Sequence, residues 1–253
     1  MGWLKDLYCR YLHARHLPRH WRLRRRTLDG RIARQVVIAN EYRLPDRFEE
    51  GAVVLDVGAH IGSFALAALR RGAAVVHCVE PDAENFALLA HNLSPYADRV
   101  RLRHAAAWRS DVKAGRLSLR NPLAARNTGA HQVVTVEGEE GVEAVAFDEL
   151  IDRAAPGGRV RLVKMDCEGA EWPILLTSRR LDRVDALCGE YHLGPLPAAF
   201  GVPGQTFNVE LLERVLTDRG FAVRTEPLPP RPYPCGLFFA GRVVTPQAPA
   251  VAR

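Results

Sequence analysis

The residues with most to offer chemistry are acids placed at the ends of apolar runs. In VVLDVGAHIGSFAL, residues 53–66, such a run closes on Asp56, turns through Gly58, Ala59, His60, Ile61 and Gly62, and enters an Ala/Leu-rich stretch. The pattern reads as strand, tight turn and helix. Glycines there let a ligand approach the main chain closely, and the start of the helix offers unpaired N–H groups. A second apolar run, residues 73–79, closes on Glu80-Pro81-Asp82. That puts Glu80 about 20 residues beyond the turn, where an acid holds ribose hydroxyls. Together the two motifs predict a nucleotide-like cofactor.

The turn departs from the dinucleotide fingerprint G-x-G-x-x-G. His60 stands at the second glycine position, and Asp56 lies two residues before the first glycine. A pyrophosphate needs the missing glycine and is repelled by a carboxylate, whereas an ammonium and a sulfonium are attracted to one. The expectation is therefore S-adenosylmethionine rather than NAD or FAD, with Asp56, Gly58, Ala59, His60, Gly62, Glu80 and Pro81 around it.

A second acidic group follows later in the chain. Residues 160–165 form an apolar run ending in Asp166-Cys167-Glu168-Gly169-Ala170-Glu171, and residues 184–189 form another ending in Glu190-Tyr191-His192. Acids at the C-terminal ends of parallel strands lie on the ligand side of an open α/β sheet. Methyl transfer is an in-line displacement that depends on alignment, and a hydroxyl acceptor also needs a base for its proton. His192 ranks first for that role by its ordinary pKa, followed by Asp166 and Glu190, with Glu168 in the same cluster. These oxygen ligands and His192 can in principle take a divalent cation, but their spacing matches no defined metal motif, so no metal is expected. Asp166-Cys167-Glu168-Gly169 also differs from the Asn/Asp-Pro-Pro-aromatic motif of enzymes that methylate base amines, which leaves ribose methylation open.

Alternating strands and helices predict a parallel sheet covered on both faces. Further elements are a strand at 31–39, a polar loop at 41–50, helices at 61–71, 83–93, 147–154 and 207–219, and a strand at 100–106. Two closing strands follow at 221–225 and 236–243, joined by a Pro-rich link read as crossing over the sheet. Residues 117–119 and 132–136 predict a small antiparallel insertion. Its loop carries Asn127, Thr128 and Gly129, a weak hint of substrate contacts.

At 253 residues the chain suits one α/β domain with an appendage. Its net charge of +6 is uneven: residues 1–35 hold ten Lys/Arg against Asp6 and Asp29. The predicted organisation is a basic helical arm over 1–35, a catalytic domain over 36–245 and a frayed tail over 246–253. The arm reads as a helix capping the cleft, with an anionic partner, nucleic acid or a membrane surface, as the alternative. Lys5, Asp6 and Arg10 interrupt any signal-peptide core, Asp6 breaks a myristoylation signal, and no apolar run is long enough to span a membrane. Five scattered cysteines with no paired spacing suit a reducing cytoplasm.

The motifs LDVGAHIGSFAL, VEPDAENFALLAHNL, LVKMDCEGAEWPIL and GEYH occur in this order between residues 53 and 192. Together they resemble the FkbM family of S-adenosylmethionine-dependent methyltransferases. The family's turn usually reads D-V-G-A-N-I-G, so His60 here replaces an Asn. The acid that many methyltransferases place after the third strand to hold adenine is replaced by Ala105-Ala106-Ala107-Trp108, leaving backbone near Ala107 or Asp111 for that contact. The resemblance implies a doubly wound class I (Rossmann-like), mostly parallel seven-stranded sheet with an antiparallel final strand. It also implies methyl transfer, typically to oxygen, on sugars or natural products. Asp56, Gly58, Ala59, Gly62 and Glu80 map onto the family's cofactor site, and Asp166 lies beside them. The expectation is a cytoplasmic O-methyltransferase acting on a hydroxylated small molecule. The alternatives are an RNA ribose methyltransferase using the basic arm and a non-catalytic partner-binding module.

Overall fold

A run of apolar residues buried on both sides, such as Val54, Leu55 and Val57, belongs in the middle of a parallel sheet. In the computed structural model, which describes residues 15–113, 115–120, 128–129, 132–135, 141–193, 207–229 and 234–243, these residues form the central strand. In chain order the elements are α1 (Asp29–Ala33), β1 (Val53–Val57), α2 (Ser63–Arg70), β2 (Val75–Glu80), α3 (Ala83–Leu93), β3 (Val100–His104) and β4 (Ala106–Trp108). They continue with β5 (Arg116–Arg120), β6 (Gln132–Thr135), β7 (Val142–Ala146), α4 (Phe147–Ala154), β8 (Leu162–Met165), α5 (Glu171–Thr177), β9 (Ala186–His192), α6 (Val209–Thr217), β10 (Phe221–Pro227) and β11 (Cys235–Arg242).

Seven strands make one sheet in the order β10-β11-β9-β8-β1-β2-β3. Strand β1 pairs in parallel with both β2 and β8, so the strand order reverses beside it. Strand β11 runs antiparallel to β9 and to β10. The expected doubly wound, mostly parallel sheet is therefore the observed one.

Alternation along β1 sends Leu55 and Val57 to one face and Val54 to the other. The first face is covered by Phe147, Ile151, Trp172, Leu212 and Leu216 of α4, α5 and α6. The second is covered by α2 and α3 together with Leu17, Trp21, Val36, Tyr42 and Phe48. Helix α2 is buried along nearly its whole length, and its alanines let it lie close to the sheet. Asp82 and Asn208 cap α3 and α6 by accepting the N–H groups of Asn85 and Leu211, both at 2.8 Å.

The structure corrects several expectations. Residues 31–39 are not a strand: α1 runs into a π-helical stretch, Arg34–Ile38. The β-branched Ile32, Val36, Val37 and Ile38 favour a strand locally, but burial of Asp29, Ala33 and Val36 follows helical spacing against α2, and packing overrides propensity. The insertion is a mixed four-stranded sheet, β4-β7-β5-β6, because β7 pairs in parallel with β4 as well as antiparallel with β5. The Pro-rich link joins adjacent antiparallel strands rather than strands apart in the sheet: the β10–β11 ladder continues to the Leu228 N–H donating to the Cys235 carbonyl at 3.0 Å, and residues 230–233 lie outside the described residues. Asn127, the first fourteen residues and the tail lie outside the described residues.

Leu17, Trp21 and Ala33, expected as part of the appended arm over 1–35, contribute to the second apolar layer. Trp21 is 2% exposed there. Trp21→Ala should therefore cost about 3–5 kcal/mol in urea unfolding, as a large core truncation does. A loss below about 1 kcal/mol would show that this segment is not part of the core.

Candidate active site

The C-terminal tips of β1, β2, β8 and β9 open on one cavity of about 610 Å³, within the usual size range of small-molecule sites. It lies where the strand order reverses, the position at which open α/β sheets bind ligands. Gly58 forms one wall at φ 74°, and a Cβ added to it would fall 1.9 Å from the Asp166 carbonyl oxygen. Only a glycine lets the tips of β1 and β8 come this close. Ala59, His60, Glu80, Pro81 and Ala107 also line the cavity.

Two residues expected around the cofactor lie off this wall. Gly62, at φ 95°, packs against Leu89 and Leu93 of α3 at the start of α2. Asp56 is fully buried, and Lys164 of β8, directly across the strand pair, lies 3.3 Å from its Oδ1. Lys164, not Asp56, reaches the cavity. Its Nζ donates to the carbonyls of Gly58 at 2.6 Å and Val57 at 3.3 Å. Burial pulls the Lys164 pKa down, but Asp56 and Asp166 outweigh it and hold the ammonium above its ordinary value.

At the tip of β2 the Glu80 carboxylate accepts the N–H groups of His60 at 2.7 Å and Asp82 at 3.0 Å, and the Asn85 amide at 3.3 Å. It thereby ties the glycine turn to the second strand. Burial pushes Glu80 up to about 7 against these donors. His60 sits at φ 51°, a left-handed conformation that Asn and His tolerate better than most residues. That tolerance accounts for its standing where the family has Asn. Burial pulls His60 down to about 4 despite the nearby Asp29, so its ring is neutral at pH 7.

The N-terminal segment reaches this turn through a network no motif announced. Arg24 pairs with the buried Asp29 at 3.0 Å and donates to the Asn85 amide oxygen at 2.6 Å. Thr128 donates to Asp29 at 2.7 Å, its hydroxyl lies 3.0 Å from His60 Nε2, and its carbonyl accepts from Asn85 at 2.9 Å. The hint carried by Thr128 and Gly129 thus falls at the site: Thr128 locks the turn and Gly129 lines the cavity.

On the far wall stand Asp166, Glu168, Glu190 and His192. Glu190 and His192 are not beyond β9 but are its last residues, paired with Leu237 and Cys235 of β11, and their two-residue spacing puts them on one face. Asp166 accepts the Tyr42 hydroxyl at 2.8 Å. The His192 ring lies 3.2 Å from Glu171 through Nδ1, and 3.4 Å from Glu168 and 3.9 Å from Glu190 through Nε2. Glu171, only 1% exposed, is itself held by the N–H groups of Cys167 at 3.0 Å and Gly169 at 2.7 Å. Burial pulls the His192 pKa down, but the three carboxylates outweigh it and push it up to about 10. Its place as first choice of base is therefore corrected: at neutral pH the ring already carries the proton it would have to accept. Glu168 sits at φ 53° and is pushed up chiefly by burial.

No motif surrounds Arg24, Asp29 or Tyr42, whereas Lys164 lies inside LVKMDCEGAEWPIL, where a lysine within an apolar strand run is a visible anomaly. Asp111 does not line the cavity; it pairs with Arg109 at 2.6 Å on the surface, leaving Ala106 and Ala107 on the wall beside β2.

Glu80 ties titration to stability. Its folded pKa of about 7 lies above the ordinary 4.5, so the folded chain keeps a proton that the unfolded chain releases. The stability this group contributes is present below about pH 4.5 and lost as pH rises through about 7. Relative to Glu80→Gln, the wild type should therefore lose unfolding free energy across that window in urea titrations. A difference independent of pH would refute the assignment.

The sequence profile of the methyltransferase FkbM domain matches residues 56–222. Among solved structures, the chain is similar to a candidate RNA methyltransferase from Pyrococcus horikoshii, at 17% identity over 92% of this chain and 91% of that one with a TM-score of 0.44. It is also similar to precorrin-6Y C5,15-methyltransferase from Geobacter metallireducens, at 14% identity over 87% and 92% with a TM-score of 0.43. A third is magnesium protoporphyrin IX methyltransferase from Synechocystis, solved with S-adenosylhomocysteine, at 11% identity over 84% and 80% with a TM-score of 0.41. No curated protein gives a significant sequence match. With the domain profile spanning well over half of the chain, the protein belongs to the FkbM family of S-adenosylmethionine-dependent methyltransferases.

Proposed function

We propose that the protein transfers a methyl group from S-adenosylmethionine to a hydroxyl of a sugar or natural-product small molecule. The observation that carries this reading is that the glycine turn and the cluster of Asp166, Glu168, Glu190 and His192 open on the same cavity. Carboxylates at the end of a cofactor-sized cavity are acceptors for the hydroxyl protons of a polar substrate.

The residues present fit the cofactor. Glu80 would take the ribose hydroxyls, and Pro81, Ala106 and Ala107 offer an apolar edge for the base. Lys164 suits the carboxylate of the methionine end, with Asp56 acting through Lys164. Two buried polar atoms at the turn, His60 Nδ1 and Ser63 Oγ, have no hydrogen-bond partner among the described residues. When bound, the cofactor supplies an electrophilic methyl group. The chain's own contribution is alignment, exclusion of water and a place for the acceptor's proton. Glu190 is the group assigned to that proton, because it lines the cavity at the end of β9 and His192 is already protonated.

Incubating the enzyme with labelled S-adenosylmethionine and a panel of hydroxylated acceptors should yield a methyl ether. Glu190→Gln should lower kcat by about 10²-fold or more while S-adenosylhomocysteine still binds. Gly58→Ala should abolish that binding, since its Cβ would collide with the Asp166 carbonyl. Unchanged turnover in Glu190→Gln would remove Glu190 from the mechanism, and normal binding in Gly58→Ala would move the cofactor elsewhere.

A specific observation favours RNA ribose methylation as the second reading. Arg19, Arg22, Arg25, Arg26 and Arg31 are all exposed along the N-terminal segment, and Arg31 also borders the cavity. RNA binding that weakens steeply with salt and is lost in an Arg22/Arg25/Arg26→Ala variant would support it. Absent or salt-insensitive binding would eliminate it.

A further inference from the structure

Asp166, Glu168 and His192 each present one ligand atom, and these atoms all lie within 4.8 Å of one another. Cations of the magnesium or manganese class bind at about 2.0–2.2 Å, so ligands on opposite sides of one are about 4.2 Å apart. Neighbouring ligands sit about 3 Å apart, so binding would draw the trio closer together.

The imidazole is held in the manner of a metal ligand. Its Nδ1 faces Glu171, which two backbone N–H groups fix in place. The indole of Trp172 donates to the His192 carbonyl at 2.7 Å and anchors the strand end. A carboxylate behind a histidine is the usual outer partner that orients a ligating ring. Nε2 of this buried histidine faces Glu168 at 3.4 Å and Glu190 at 3.9 Å, and a cation bound there would displace the proton that these carboxylates hold on the ring.

Lys164 and Asp56 answer one another across β1 and β8. Asp166, Glu168, Glu171 and Glu190 are left gathered around a single imidazole, a set of oxygen and nitrogen atoms of the kind divalent cations take.

We propose that Asp166, Glu168 and His192 form a binding site for a divalent cation of the magnesium or manganese class. In this site Glu171 is the positioning residue for His192, and Glu190 is not a ligand but takes the acceptor's proton. A cation there would hold the acceptor oxygen and ease loss of its proton, placing the hydroxyl opposite the methyl donor. Mixed carboxylate and imidazole ligands suit manganese better than calcium.

Metal binding can be read without turnover, so this proposal and the identity of the acceptor fail separately. Full-length protein stripped with a chelator and titrated with Mn²⁺, with and without S-adenosylhomocysteine, should take up one ion per chain. Uptake is followed by loss of the free-ion electron spin resonance signal, and Mg²⁺ should compete. Glu168→Gln should abolish this binding while S-adenosylhomocysteine still binds. Glu171→Gln, which removes no ligand, should weaken it about 10–100-fold. No uptake under either condition, or uptake unaltered in both Glu168→Gln and His192→Asn, overturns the proposal.

Discussion

A single buried ammonium fixes the geometry of the cavity. Lys164 faces Asp56 across the β1–β8 pair, and its Nζ donates to the carbonyls of Val57, the last residue of β1, and of Gly58 beyond it. Neither charge could be buried there alone, and leaving one unpartnered costs about 3–5 kcal/mol. The pair therefore holds the two strand tips together at the point where the sheet changes direction. Gly58 then approaches the Asp166 backbone as closely as an absent side chain allows, and everything at the mouth takes its position from that approach.

A second constraint comes from the N-terminal segment. Asp29, fully buried, accepts from Arg24 and Thr128, and Asn85 links the same group to Glu80. The glycine turn is thus held from three sides: by β2 through Glu80, by the segment before β1 through Arg24, and by the insertion through Thr128. His60 lies at their meeting point in a conformation most residues avoid, and its neighbours supply the contacts that hold it there.

Much of this is legible in the sequence. Apolar runs ending in acids mark the strands of the parallel sheet, and the turn at Gly58 with Glu80 beyond it marks one wall of the cavity. What could not be read shares a physical cause: it depends on contacts between residues far apart in the chain. Residues 31–39 looked like a strand because they are β-branched, yet helical burial against α2 decided their form. Tyr42 lay in what read as a polar loop, but its hydroxyl reaches Asp166. Asp56 was placed correctly at a strand end, while the lysine between its charge and the cavity could be identified only once β8 was known to lie alongside. His192 was chosen for its ordinary pKa, and the three carboxylates around it change that property.

The cavity's walls differ in how firmly the scaffold fixes them. The side around Gly58, Glu80 and Lys164 is built from neighbouring tips of the central strands. Leu28, Ile32, Gln35, Leu228 and Pro229 instead come from the segment before β1 and the connection between the last two strands. Divergence confined to those five positions would reshape the rim of the cavity while leaving intact the walls set by the strand tips. Under the proposed function, a lineage built on this scaffold can therefore change what it modifies by drift at its rim, without having to reinvent how it binds the molecule that supplies the methyl group.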